Sequence, residues 1–282
     1  MAAAAEETSA RIYDQGYTPW RGTLASPRSR FLCIARNELR LAWKEKWFKR
    51  LAVVALLPLP FFAVFGLFAA LVPGGAGAGA IWGSFWNLQL FFVMLMVYFV
   101  GRRGVGADLR AGALAIYFSR PVGFRQYLAG KWLSIAVAVA GVTLLPGLLL
   151  ALVGYVASPA ITTLDFLRLA GGVVLLSALL ALTAGSVMLA VSALTRRPGA
   201  AGILWVVLFY ISSAFASGLT RATGAEGLAS LSFVTANTNL ATAIFEARAE
   251  LGPALVLVAG QLGWAALGCA VVLLRLRRFV RA

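Results

Sequence analysis

The chain of 282 residues contains no histidine. That absence excludes histidine-based acid–base catalysis, an HExxH zinc site and histidine ligation of haem. Two cysteines, Cys33 and Cys269, are too few for a four-thiolate metal centre or a disulfide framework. Charge is also scarce: Asp, Glu, Lys and Arg together make 12% of the residues, about half the share of a soluble domain. Acids are scarcest, 10 against 25 Lys and Arg, for a formal charge of +15. What fills the chain instead is apolar: 61% hydrophobic residues and a mean hydropathy of +0.87. Long uncharged runs of this kind are membrane spans, and they exclude a soluble enzyme, a disordered chain and an alternating outer-membrane barrel.

Five stretches of more than 20 residues carry no charge: 51–101, 132–164, 169–195, 198–220 and 251–274. A spanning helix needs about 20 residues. The first stretch is long enough for two, and the glycine-rich segment 73–79 is a turn signal dividing it. The expectation is therefore an all-α polytopic membrane protein with six transmembrane helices, near 51–72, 81–101, 132–156, 166–194, 200–219 and 252–274. Basic residues accumulate on the cytoplasmic side of such proteins. With the N-terminus inside, 22 of the 25 Lys and Arg fall in inside segments, and Arg168, Arg221 and Arg248 are left outside. Both termini are thus expected in the cytoplasm. The same partition accounts for the net charge as topology and attraction to anionic membrane lipids, not nucleic acid, because every basic cluster abuts a span.

Residues 1–27 read as a cytoplasmic tail; alanines followed by two glutamates lack the order of a signal peptide. Residues 28–50 are too charged to span. Phe31, Ala35, Leu39, Trp43 and Trp47 form an i+4 row, with Asn37, Arg40 and Lys44 opposite, which suits an amphipathic helix lying in the interface. Residues 51–282 then form the six-helix domain.

Segment 101–131 is a patterned cytoplasmic loop. Residues 107–118 favour one helix, with Asp108 near its positive end and Leu109, Ala113, Ile116 and Tyr117 on one apolar face. Pro121 ends it. A second amphipathic piece, 124–128, leads into span three. A short helix closed by a rigid turn has the form of an element that enters another protein's groove. A phosphate loop is absent: in 123–131 six residues separate the glycines instead of four, and Trp132 stands where Ser or Thr would hold magnesium. Asn87 and Gln89 in span two are candidates to line a pathway, the alternative being partners in hydrogen bonds between helices. Pro58, Pro60 and Pro146 each remove a helix hydrogen-bond donor and predict kinks. Segment 219–250 reads as an outside region, with a short helix over 241–250 and a re-entrant piece over 228–234.

Asp108, Gly112, Leu114, Ser119, Pro121, Val122, Gly130 and Lys131 together resemble the first cytoplasmic loop of ABC-2 type transporter permeases, the membrane-spanning subunits of ABC exporters. The family pattern there is Glu-x-x-x-Gly-Thr-Leu-x-x-Leu-Leu-Ser-x-Pro-Val, then Gly-Lys opening span three. Residues 33–41 are similar to the family's connecting helix. This chain departs from the pattern at Asp108 for Glu, Ala113 for Thr and Phe118 for Leu, and it has Phe124 where a basic residue is common, with Arg125 one position later. The resemblance implies a permease of the bacterial inner membrane that works as a dimer with a second copy or homologue. It also implies a separate ABC ATPase, which holds ATP and magnesium, so that no cofactor and no enzymatic activity belong to this chain. The loop would be the coupling helix, with Asp108, Arg110, Gly112, Ser119, Arg120, Pro121, Arg125 and Tyr127 as contacts. The alternative role is a non-transporting membrane anchor of an ATPase-driven assembly or maturation complex.

Overall fold

The computed structural model describes residues 29–71, 78–119, 123–157, 161–195, 197–246 and 250–281. Among them there is no strand. Six helical stretches are long and apolar enough to cross a bilayer: Lys46–Phe68, Ala80–Arg110, Phe124–Ala157, Thr163–Leu194, Pro198–Thr223 and Leu251–Arg278. The chain is a multi-pass membrane protein. Large apolar side chains such as Phe61, Phe68, Ile203, Ile211 and Leu255 face outward. A water-soluble surface rarely carries so many contiguously, whereas lipid solvates them.

The chain opens with α1 (Arg30–Lys44), which packs along the start of the third crossing helix. Its protein-facing side is Ile34, Ala35, Glu38 and Ala42. The expected row is split by this packing: Ala35 turns inward, while Trp43 and Trp47 remain exposed. The helix also ends earlier than the expected boundary at 50. Glu45 is extended (φ −77, ψ 124), and α2 (Lys46–Val54) already belongs to the first crossing. Residues 55–57 form a turn before α3 (Pro58–Leu71). Pro58 has no N–H to donate to Val54, and its ring disfavours helical geometry at Leu57. Leu59 N bonds back to Leu56 O at 3.1 Å, which leaves the Ala55 carbonyl without its helical partner.

The second crossing is α4 (Ala78–Gly101), followed by α5 (Val105–Arg110) and α6 (Ala113–Ser119). The third and fourth are α7 (Phe124–Ala157) and α8 (Thr163–Leu194). Helix α7 runs unbroken through Pro146. Helix α8 is the buried axis of the bundle and packs on α7 and α11. A capping box starts it: Asp165 N donates to Thr162 Oγ1 (3.2 Å), and Thr162 N donates to Asp165 Oδ2 (3.1 Å). The fifth crossing, α9 (Pro198–Thr223), begins on a proline at its first turn and stops at Gly224 in the left-handed region (φ +70).

A 3-10 turn (Glu226–Leu231) and α10 (Phe233–Phe245) precede the last crossing, α11 (Leu251–Arg281). The expectation for this region is corrected. The helix begins at Phe233, not near 241, and it packs against α4, α8, α9 and α11. Asn237 at its centre is fully buried. Trp86 Nε1 donates to Asn237 Oδ1 (2.8 Å), and Asn237 Nδ2 donates to Leu176 O and Gln261 Oε1, each at 3.3 Å. Those partners lie two to four turns inside their helices, so α10 is packed into the bundle and held there by an asparagine.

Candidate functional site

The end of the bundle that carries α1, α5 and α6 holds the chain's densest polar chemistry. Lys131, near the start of α7, is 3% exposed. Its ammonium sits 2.6 Å from Glu38 Oε1 on α1 and 2.8 Å from Asp108 Oδ2 on α5. Tyr127, one turn earlier on α7, donates to Asp108 Oδ2 at 2.6 Å and lies under the ammonium, 5.7 Å from ring centroid to Nζ. Tyr117 of α6 packs on Tyr127 with centroids 5.3 Å apart. Burial holds the Tyr117 phenol above its ordinary pKa, and the Asp108 carboxylate adds to that. Four elements therefore meet on one cation. A pair this dry is held by mutual charge and hydrogen bonds, and losing one member leaves an uncompensated charge.

A second knot sits about two turns along from Glu38, at the end of α1. Glu45, in the break between α1 and α2, receives Arg102 (2.7 Å) and Arg103 (2.9 Å) from the end of α4. Arg102 also lies over the Tyr98 and Phe99 rings. Glu38, Glu45 and Asp108 are the acids described at this end, and all three are bound to cations.

Two glycines shape the loop. A Cβ at Gly106 would collide with the carbonyls of Ser192 and Thr195, so only glycine lets α5 lie against the end of α8. Its N–H donates to Ser192 Oγ at 3.1 Å. Gly112 has φ +65 and breaks the single helix expected over 107–118 into α5 and α6. With that break, Leu114 is buried and Ile116 is 63% exposed, so the expected face of Leu109, Ala113, Ile116 and Tyr117 does not form as one stripe.

The expected coupling residues divide accordingly. Arg110, Gly112 and Arg125 lie on the outer surface. Asp108 and Tyr127 point into the bundle and hold Lys131. Ser119 ends α6, its side chain is not described, and Arg120 and Pro121 fall outside the described residues. Glu38 and Lys131 are absent from the expected contact set, although a lone acid on a basic helix and a lysine opening a span were both visible signals.

At the other end, Asn87 lines a recess of about 430 Å³ between α4, α9 and α10, with Tyr210, Ser213, Ser217, Arg221 and Thr238. Gln89 is not among its lining residues. It is fully buried, and its Nε2 donates at 3.3 Å to Ala55 O, the carbonyl freed by the Pro58 break. No group of three or more His, Cys, Asp or Glu among the described residues is disposed to hold a metal.

No protein-family model matches this chain, and no curated protein is significantly similar to it.

Proposed function

We propose that this chain is the permease subunit of an ABC-2 type exporter, moving substrate across a bacterial inner membrane by alternating conformations. In this reading both termini are cytoplasmic. A second copy or homologue completes the pathway, and a separate ATPase binds ATP and magnesium and drives the change. The observation that carries the proposal is the pairing of an outward-facing hairpin with an inward lock. Helices α5 and α6 present Arg110 and Ile116 at the surface and the first turn of α7 presents Arg125, while Asp108 ties the hairpin to α1 and α7 through Lys131. A push on the hairpin is transmitted to two helices by one buried cation, which is how a soluble motor can bias a membrane equilibrium. The recess at Asn87, lined by hydroxyls, amides, the Phe91 and Phe209 rings and one cation, Arg221, supports a pathway for an amphipathic substrate.

The test is co-expression with the candidate ABC ATPases of the source genome. Gly112→Trp adds bulk in open space on the outer turn. Gly112→Ala imposes the same left-handed strain without that bulk, about 1–2 kcal/mol. Co-purification of the ATPase should survive Gly112→Ala and be abolished by Gly112→Trp. Equal, full binding by both removes the hairpin from the docking surface. ATPase activity that substrate stimulates in proteoliposomes separates an exporter from a non-transporting anchor.

A further inference from the structure

At the Glu45 break, α1 and α2 together frame a basic recess. Its volume is about 480 Å³, and it is lined by Arg36, Leu39, Arg40, Trp43, Lys44 and Lys49. Arg36, Arg40 and Lys44 repeat at i, i+4 and i+8 and so share one side of α1. Lys49 reaches the recess from α2, one turn past the break. All four cations are exposed, and none makes an ion pair with another described residue. The nearby acids cannot neutralise them: Glu38 is bound to Lys131 and Glu45 to Arg102 and Arg103. Four like charges gathered around one hollow repel each other unless an anion joins them.

What surrounds the hollow specifies that anion. Trp43 is 56% exposed yet fixed edge-on against buried Phe48, 5.7 Å between centroids. Trp47 is exposed beside it, with the Arg50 guanidinium 5.2 Å from its ring. Indoles favour headgroup depth. Directly along the chain, Val53, Val54, Leu57 and Phe61 are exposed on the first crossing. Cations, then indoles, then aliphatic surface is the vertical order of a phospholipid: phosphate, glycerol, acyl chain. A soluble acidic protein would match the cations alone and leave the apolar surface below them unmatched.

We infer that the hollow between α1 and α2 is a binding site for an anionic phospholipid, with Arg36, Arg40, Lys44 and Lys49 on its phosphate and Trp43 at its glycerol backbone. This site is independent of the transport reading. Bound there, the lipid bridges α1 to α2 across the Glu45 break, next to the element that holds Lys131.

The experiment is native mass spectrometry of the full chain with added dioleoylphosphatidylglycerol, with dioleoylphosphatidylcholine, and with inorganic phosphate. The two lipids share acyl chains and differ in headgroup charge. The anionic lipid should be retained about tenfold more than the zwitterionic one, and inorganic phosphate should not displace it. The combined variant Arg36→Gln, Arg40→Gln, Lys44→Gln should abolish that preference, since a loss of roughly fivefold per charge removed is more than enough to cancel it. The charge-matched variant Arg275→Gln, Arg277→Gln, Arg278→Gln, at the end of α11, should keep it. Equal retention of the two lipids, equal loss in both variants, or displacement by phosphate overturns the inference. So does a triple variant that keeps the lipid but loses a soluble partner, since that face would then dock protein. Should the triple variant not fold, photoactivatable phosphatidylglycerol on the wild-type chain decides the matter. Crosslinks must map to 36–49, and crosslinks confined to other segments overturn it.

Discussion

Lys131 is the residue on which the basic end depends. Its charge is almost fully removed from water and is compensated by two carboxylates and the face of Tyr127. Lys131→Met keeps the side-chain length and leaves Glu38 and Asp108 facing each other without a cation. Breaking such a site costs about 3–5 kcal/mol. The thermal midpoint of the purified protein in detergent should fall well below that of the parent. Glu38→Gln should cost less, because Asp108 still pairs with the lysine. A Lys131→Met protein as stable as the parent would mean that the charges are not buried together. Glu38 and Lys131 lie 93 residues apart, and no spacing in the sequence announces a partner at that range. What was legible was weaker: an acid alone on a basic helix, and a lysine alone at the mouth of a span. The Asn237 site is a second case. Asn237→Ala leaves the buried Trp86 N–H without its acceptor, at about 1–3 kcal/mol. Heat denaturation of that variant should show a smaller loss than Lys131→Met.

Among the elements, the crossings were readable and the joints were not. Apolar length fixes a spanning helix nearly by itself, because an unsatisfied backbone in lipid is too costly to leave open. The six crossings therefore fall where the uncharged runs lie, extended at several ends by a turn or more. Helix α10 escaped because it is short and mixes Thr and Asn with apolar residues, a pattern equally suited to a surface cap. Its burial comes from partners on four other helices. The break at Glu45 escaped for the same reason, since two arginines from the end of α4 hold that carboxylate. The joint between α5 and α8 gives the sharpest test. At Gly106 the obstacle is backbone, which cannot rotate away. Gly106→Ala should force α5 off Ser192, at a cost of about 1–3 kcal/mol. Hydrogen exchange over 105–119 should rise while the interior of α8 stays protected. Unchanged exchange there would show that the helix end yields without cost.

Across the whole molecule, the two ends of the bundle differ in charge, and that difference predicts a direction in the membrane. At the end carrying α1, α5 and the last turns of α11, the described acids are all engaged in ion pairs, so the charge left to act at a distance is almost entirely positive. At the other end stand Asp165, Glu226, Glu246 and Glu250 with Arg168 and Arg221. Basic residues near span ends resist translocation and are drawn to the anionic cytoplasmic leaflet, each by about 1 kcal/mol. Six crossings then return the chain to its starting side. Single cysteines at Glu226→Cys and Ala282→Cys should report this directly, in a background where exposed Cys33 and half-buried Cys269 are replaced by Ser and Ala. An impermeant maleimide added to intact cells, with the outer membrane opened, should label position 226. It should reach position 282 only after the inner membrane is permeabilised. Labelling of both from one side would mean that α11, the candidate crossing between these two positions, does not span. Labelling of 282 alone from outside would turn the whole bundle over. Helices α5 and α6 would then face away from cytoplasmic ATP, and no ATPase could push on Lys131 through Asp108. The sidedness of these two positions therefore tests the membrane topology and the proposed motor coupling in one experiment.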